Sequence, residues 1–165
     1  MRIDRFTSKL QSAVADAQSL AVGQDHNYVA PAHLLLALLD QQGGSTKPLL
    51  SQMGVDTAAF KAGLTEIFDK LPRVKDNYGD IQLSPEFGRL FNLVDKFAQQ
   101  RGDQFISSEL VLLAAAEDRG DIGKLFEKFG IQKESLARAI DQYRGGDKVN
   151  EANSEDTRQA LDKYT

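Results

Sequence analysis

Two runs of the chain are apolar on every side of a helical turn. Residues 34–39 read LLLALL and residues 110–116 read LVLLAAA, followed by the polar, glycine-containing stretches DQQGG and EDRGD. A surface helix keeps one apolar stripe, so helices apolar all round belong at the centre of a fold. Placing Leu34 on Leu110 sets Gly44 on Gly120 and Leu49 and Leu50 on Leu125 and Phe126. GVDTAAFKAGL (54–64) then falls on GIQKESLARAI (130–140). Upstream the register shifts by one residue near Ala30. There Thr7 meets Ser84, Leu10 meets Phe87, Val14 meets Phe91, Ala17 meets Val94 and Ala21 meets Ala98. Self-similarity at a fixed spacing is the mark of a duplicated unit.

Each repeat reads as four helices. The first spans 7 to about 21, and again 84 to about 100, with one apolar face at 10, 14, 17, 21 and at 87, 91, 94, 98. Thr7 and Ser84 are natural N-caps, and Pro85 suits the first helical position. Pro31 opens one central helix and Ser107 caps the other. Two shorter helices follow in each half, ending at Met53 and Phe129 and resuming after Asp56 and around Gln132. Gly54 and Gly130 stand where a left-handed residue ends a helix. Strand patterns are absent. The expected fold is all-α, a pseudo-twofold duplication of a four-helix repeat with about eight helices.

The organisation follows: repeat one at 1–70, a polar, turn-rich connection at 71–83, repeat two at 84–144 and a flexible linker at 145–165. The last part holds paired glycines and few apolar residues. The final DTRQALDKYT would start a helix with nothing to pack on, as in a domain cut from a longer protein.

Composition narrows the function. The chain has 165 residues, 41% apolar and 27% charged, a globular balance. A net charge of -4 with scattered basic residues argues against nucleic acid as the partner. There is no cysteine, so disulfides and thiolate chemistry are excluded. The opening MRIDRFTSKLQ lacks the apolar run of a signal peptide, and no stretch reaches the ~18 apolar residues of a membrane span. The expected location is cytoplasmic.

Candidate chemistry is sparse. GGSTKP at 43–48 has lysine and serine in the wrong order for a phosphate-binding loop and no strand before it. His26 and His33 lack further ligands at metal spacing and read as polar loop or helix-edge residues. Asp103 and Glu109 flank the mouth of the second central helix. Asp103 closes the RGDQ turn and Glu109 favours the helix dipole; a catalytic pair would need one raised pKa and a substrate-holding partner. No catalytic, cofactor-binding or metal site is assigned.

The repeats differ at one place. On the helix from residue 84, Leu90, Leu93 and Phe97 fall roughly 60° to 120° from the core stripe. The matching positions in repeat one, Ala13, Asp16 and Leu20, are less apolar. This second stripe either packs between the repeats or stays open as a groove, and packing alone favours burial.

MRIDRFTSKLQSAVADAQSLAVGQDHNYVAPAHLLLALLDQQGG, RGDQFISSELVLLAAAEDRG and DTRQALDKYT resemble the N-terminal (Clp N) domains of the bacterial ClpB disaggregases along the whole chain. The wording AQSLA and RGD.FISSEL is closer to these than to the protease-linked ClpA and ClpC. The resemblance implies a domain tethered to two AAA+ ATPase modules of a hexamer, where ATP and Mg would bind. That assembly threads aggregated polypeptides through its pore with the DnaK system.

The resemblance also implies that Thr7, Ser84, Asp103 and Glu109 are important polar positions, and that Leu93, Phe97 and Leu110, beside Leu90, line an apolar substrate groove. Phe97 and Ala13 depart from the family pattern and bear on the groove's shape. The expectation shifts to an open groove, with Asp103 and Glu109 at its rim, that weakly binds exposed apolar segments of unfolded or aggregated proteins. Phe97→Asp is then expected to weaken binding without unfolding the chain. Docking of a folded adaptor protein is the alternative, and it would depend on charge.

Overall fold

A computed structural model describes residues 3–74, 81–145, 148, 149 and 152. Among them a short 3-10 turn at Ile3–Arg5 precedes eight α-helices: α1 (Ser8–Gly23), α2 (Pro31–Asp40), α3 (Thr46–Gln52), α4 (Thr57–Asp69), α5 (Pro85–Arg101), α6 (Glu109–Ala115), α7 (Asp121–Lys128) and α8 (Lys133–Arg144). The expected all-α duplication is the observed one. Thr7 caps α1 by accepting from the Leu10 N–H at 3.3 Å, and Ser84 caps α5 by accepting from Phe87 N–H at 3.0 Å. Gly54 and Gly130 hold φ of 81° and 70° at the turns after α3 and α7, conformations that a side chain disfavours.

The two apolar helices are central. Residues 31–39 of α2 and all of α6 are buried. Helix α1 packs on α2 and α5 on α6, while α2 also touches α4, α5 and α6. One continuous core therefore spans both repeats.

The repeats interlock through backbone bonds that the sequence reading missed. Two-residue strands β1 (Tyr28–Val29) and β2 (Gln82–Leu83) pair in parallel, with Val29 opposite Leu83. The duplicate of that pair is a parallel bridge between Phe6 and Ile106. Each first-helix cap also donates its N–H into the other half: Ser84 to the Val29 carbonyl at 3.0 Å and Thr7 to the Ile106 carbonyl at 2.9 Å. Segments this short show no alternation of apolar and polar residues, so the absence of strands expected from periodicity is corrected to this extent.

The connection expected at 71–83 falls partly on residues 75–80, and the linker expected at 145–165 mostly on 146–147, 150–151 and 153–165; these lie outside the described residues. Within the second stretch, Val149 is fully buried. Its carbonyl accepts from the Gln104 and Phe105 N–H groups at 2.9 and 3.0 Å, and the Ala152 carbonyl accepts from Ser8 N–H at 2.7 Å. At these residues the chain is packed on the domain rather than free.

Candidate functional site

Helix α5 carries both apolar stripes, and the second one is mostly closed. Leu90 and Phe97 are each 6% exposed and Leu110 is fully buried in α6, whereas Leu93 is only partly buried. Helix α6 packs along α5. The Lys133 ammonium sits over the face of the Phe97 ring, 5.0 Å from its centre, in cation–π range. The expectation of an open stripe is therefore corrected for Phe97 and Leu110, which are core residues. Phe97→Asp would bury a charge, so it is no longer a variant that spares the fold.

What remains open is a cleft of about 440 Å³ between α5 and the turn joining α6 to α7. Leu90, Leu93 and Ala114 supply its apolar lining. Glu86, Arg89, Glu117, Asp118 and Arg119 ring it with charges of both signs. Part of the rim is held in place: the Asp118 carboxylate accepts from the Gly120 and Gly123 N–H groups at 2.9 and 3.1 Å, and Glu117 is paired with Lys133. Those contacts fix the α6–α7 turn, opposite which Leu93 lines the cleft.

Asp103 and Glu109 do not stand at this rim. Both are buried, and both are bound by Arg144 at the end of α8. Its Nη1 donates to Asp103 Oδ2 at 2.8 Å, its Nε to Glu109 Oε1 at 3.0 Å, and its Nη2 to the Ser107 hydroxyl at 2.7 Å. The Ser45 hydroxyl donates to the second Glu109 oxygen at 3.3 Å, and the Val149 N–H donates to the second Asp103 oxygen at 3.0 Å. Burial alone would lower the Arg144 pKa; the Glu109 and Asp103 carboxylates outweigh it and hold the guanidinium above its ordinary value. With both acids committed to a permanently charged partner, the geometry is that of a structural clasp.

The clasp also revises the cap of α6. Ser107 was expected there, but the helix starts at Glu109, and the Ser107 hydroxyl is turned inward to Arg144. Arg144 itself was missed by sequence reasoning. Its signal was available: the register that sets Leu34 on Leu110 also sets His33 on Glu109 and Phe68 on Arg144, and upstream His26 on Asp103. Repeat one fills the equivalent space with His26, His33 and Phe68; the histidines do lie in a turn and at a helix start, as expected, but buried rather than at the surface. Among the described residues no group of acids and histidines could hold a metal ion. Nor is any helix among them long and apolar enough to cross a membrane.

Thr7 and Ser84, the remaining candidates, lie buried at the two equivalent junctions between repeats. Of the eight candidate positions, the structure gathers Leu90 and Leu93 at the cleft and Asp103 and Glu109 in the clasp. It sets Phe97 and Leu110 in the core and Thr7 and Ser84 at helix starts.

Comparison with known proteins agrees with this fold. Over all 165 residues the chain is 53% identical to the chaperone protein ClpB of Vibrio vulnificus, of whose length it spans 19%. The Hsp104 N-terminal domain from Candida albicans shares the fold with a TM-score of 0.81 at 22% identity, covering 91% of this chain and 98% of that one. The ClpV N-domain, solved in complex with a VipB peptide, shares it with a TM-score of 0.64 at 23% identity, over 84% and 86% of the two chains. The pattern of the Clp repeat N-terminal domain matches residues 5–129, and with its two interlocked four-helix repeats the chain belongs to that family.

Proposed function

We propose that this domain recognises exposed apolar segments of unfolded or aggregated polypeptides at the α5 cleft, as the N-terminal module of an ATP-dependent disaggregase. The observation that carries the reading is Leu93, a large apolar side chain left partly open beside Leu90 and Ala114 in a fold whose other apolar residues on α5 are closed. The ClpV N-domain, which shares this fold, was solved with a peptide, and that supports a peptide-sized ligand here. A cleft of about 440 Å³ admits only a few side chains, and an unfolded client must order itself to enter, so binding is weak and broad. In this reading the ATP and Mg chemistry, the hexamer pore and the cooperation with a DnaK system belong to the rest of the protein, and the domain's part is delivery.

The test is Leu93→Asp, with Leu93→Ala as the milder variant, measured by anisotropy against a fluorescent, permanently unfolded protein. Binding is expected to fall at least tenfold for Asp and a few-fold for Ala, with helicity kept and unfolding free energy lowered by only about 1 kcal/mol, since Leu93 is partly packed on the core. Unchanged binding by a folded Leu93→Asp chain would sink the cleft as the client site. The charged rim supports a second reading, docking of a folded adaptor of complementary charge. Binding that collapses with salt while tolerating Leu93→Asp would favour that one.

A further inference from the structure

The two repeats place different chemistry in the same buried corner. In repeat two the corner is held by Asp103, Glu109 and Arg144; in repeat one it is held by His26, His33 and Phe68, with no acid or guanidinium of the described residues buried inside it. His26 and His33 are the chain's two histidines, and their rings meet at 2.8 Å, Nδ1 to Nε2. The Phe68 ring stands edge-on to both, with centroids at 5.0 and 5.4 Å.

The hydrogen bonds assign the protons. The Ala30 N–H donates to His33 Nδ1 at 2.9 Å, so that nitrogen carries a lone pair and the His33 proton sits on Nε2. His33 Nε2–H then donates to His26 Nδ1, which also carries a lone pair. His33 thereby does two jobs at once. It satisfies a backbone donor at the start of α2, and it ties α2 to the turn after α1, where Asp25 holds a positive φ of 56°. A proton added at either acceptor sets two N–H groups head to head where water does not reach.

We propose that His26 and His33 form an acid-sensitive latch confined to the first repeat, closed while both rings are neutral and opened when either gains a proton. Among the described residues, three charged groups act on the pair. Asp25 from the turn after α1 and Asp69 from the end of α4 favour a proton on His26; Arg73, which pairs in a β-bridge with His26, opposes it. Burial and that guanidinium prevail, so His26 is held below its ordinary value. Burial and the neighbouring His26 hold His33 at about 4.

The direction follows from linkage. Since the folded rings bind protons more weakly than the unfolded ones, the latch's stabilisation is complete above about pH 6.5 and is lost as pH falls toward about 4. Opening would loosen the end of α1, the start of α2 and the end of α4, and would leave the corner built on Arg144 in place.

The experiment is an NMR titration of the full chain from pH 7.5 to pH 5, following the two imidazole signals together with amide exchange corrected for intrinsic rates. In the folded chain the His33 ring is expected to stay neutral down to pH 5 and the His26 ring to gain its proton below its ordinary range. Protection around residues 20–36 and 66–70 should fall by about tenfold per pH unit for each proton taken up on opening, with α5, α6 and α8 unaffected. His33→Gln, whose amide oxygen can still accept from Ala30 N–H, should remove the His33 share of this pH dependence and leave only that of His26. Rings that titrate near 6.5 without loss of protection would overturn the latch, as would equal loss in both repeats. Should His33→Gln fail to fold, the wild-type titration decides alone.

Discussion

At the scale of single residues, the most consequential side chain is Arg144. Two buried carboxylates, a buried hydroxyl and, through Asp103, the Val149 backbone depend on its guanidinium. Replacing one partner of a buried ion network leaves uncompensated charge, which is far more costly than replacing the whole network by neutral groups. Arg144→Met is therefore expected to destabilise the chain by about 3–5 kcal/mol in urea unfolding. The triple change Arg144→Met, Asp103→Asn, Glu109→Gln should recover most of that loss, and a mild effect of the single variant would show that water already reaches the acids. The helix caps act on a smaller scale: Thr7→Ala and Ser84→Ala each remove one side-chain bond to a helix N-terminus and should cost about 1 kcal/mol.

At the scale of elements, the close approach of α7 to the turn before it depends on Gly123. A Cβ built there would lie 1.8 Å from the Asp118 carbonyl oxygen, which is backbone and fixed by the turn it belongs to. Gly63 in α4 faces a different obstacle, the Leu125 methyl at 2.4 Å, the tip of a side chain that can rotate away. Gly123→Ala should therefore cost at least about 1–3 kcal/mol through forced displacement of the α6–α7 turn. Gly63→Ala should be near neutral, because the gain of about 1 kcal/mol in helix propensity offsets the repacking of Leu125. Thermal unfolding of the pair separates the two. Because Asp118 and Gly120 line the cleft, Gly123→Ala should also weaken client binding beyond its effect on stability, whereas Gly63→Ala should not.

At the scale of the whole molecule, the two repeats are held by reciprocal exchanges rather than by a flat interface. Phe6 pairs with Ile106 as Leu83 pairs with Val29, so each half contributes a short segment to the other. The end of the chain repeats a second arrangement: Val149 bonds to the 103–105 turn much as Val74, next to the Arg73 bridge, donates to the Asp25 carbonyl at 2.9 Å. A chain cut after 144 loses a buried valine side chain and exposes Asp103 to water. It should be less stable than one ending at 152 by about 1.5–3 kcal/mol, the scale of burying one such side chain, as measured by denaturant midpoint. Equal stability would return the boundary to 144.

The sequence by itself determined the duplication, the eight helices and most of their ends. Helix periodicity, cap residues and terminal glycines are local signals, and each repeat confirms the other. The two core helices were legible because a run apolar on all sides has no solvent face to offer. The tertiary structure decided which flank of α5 stays open. That depends on how closely α6 and Lys133 approach it, and leaves Leu93 accessible while Phe97 is closed. It also decided the fate of Asp103 and Glu109: a carboxylate's role is set by whatever cation the fold brings near it, and Arg144 lies 41 and 35 residues away. The histidines followed the same logic, since two rings in contact across a turn leave no local pattern. What reaches across the fold was decided by packing, and there the cleft, the clasp and the latch were found.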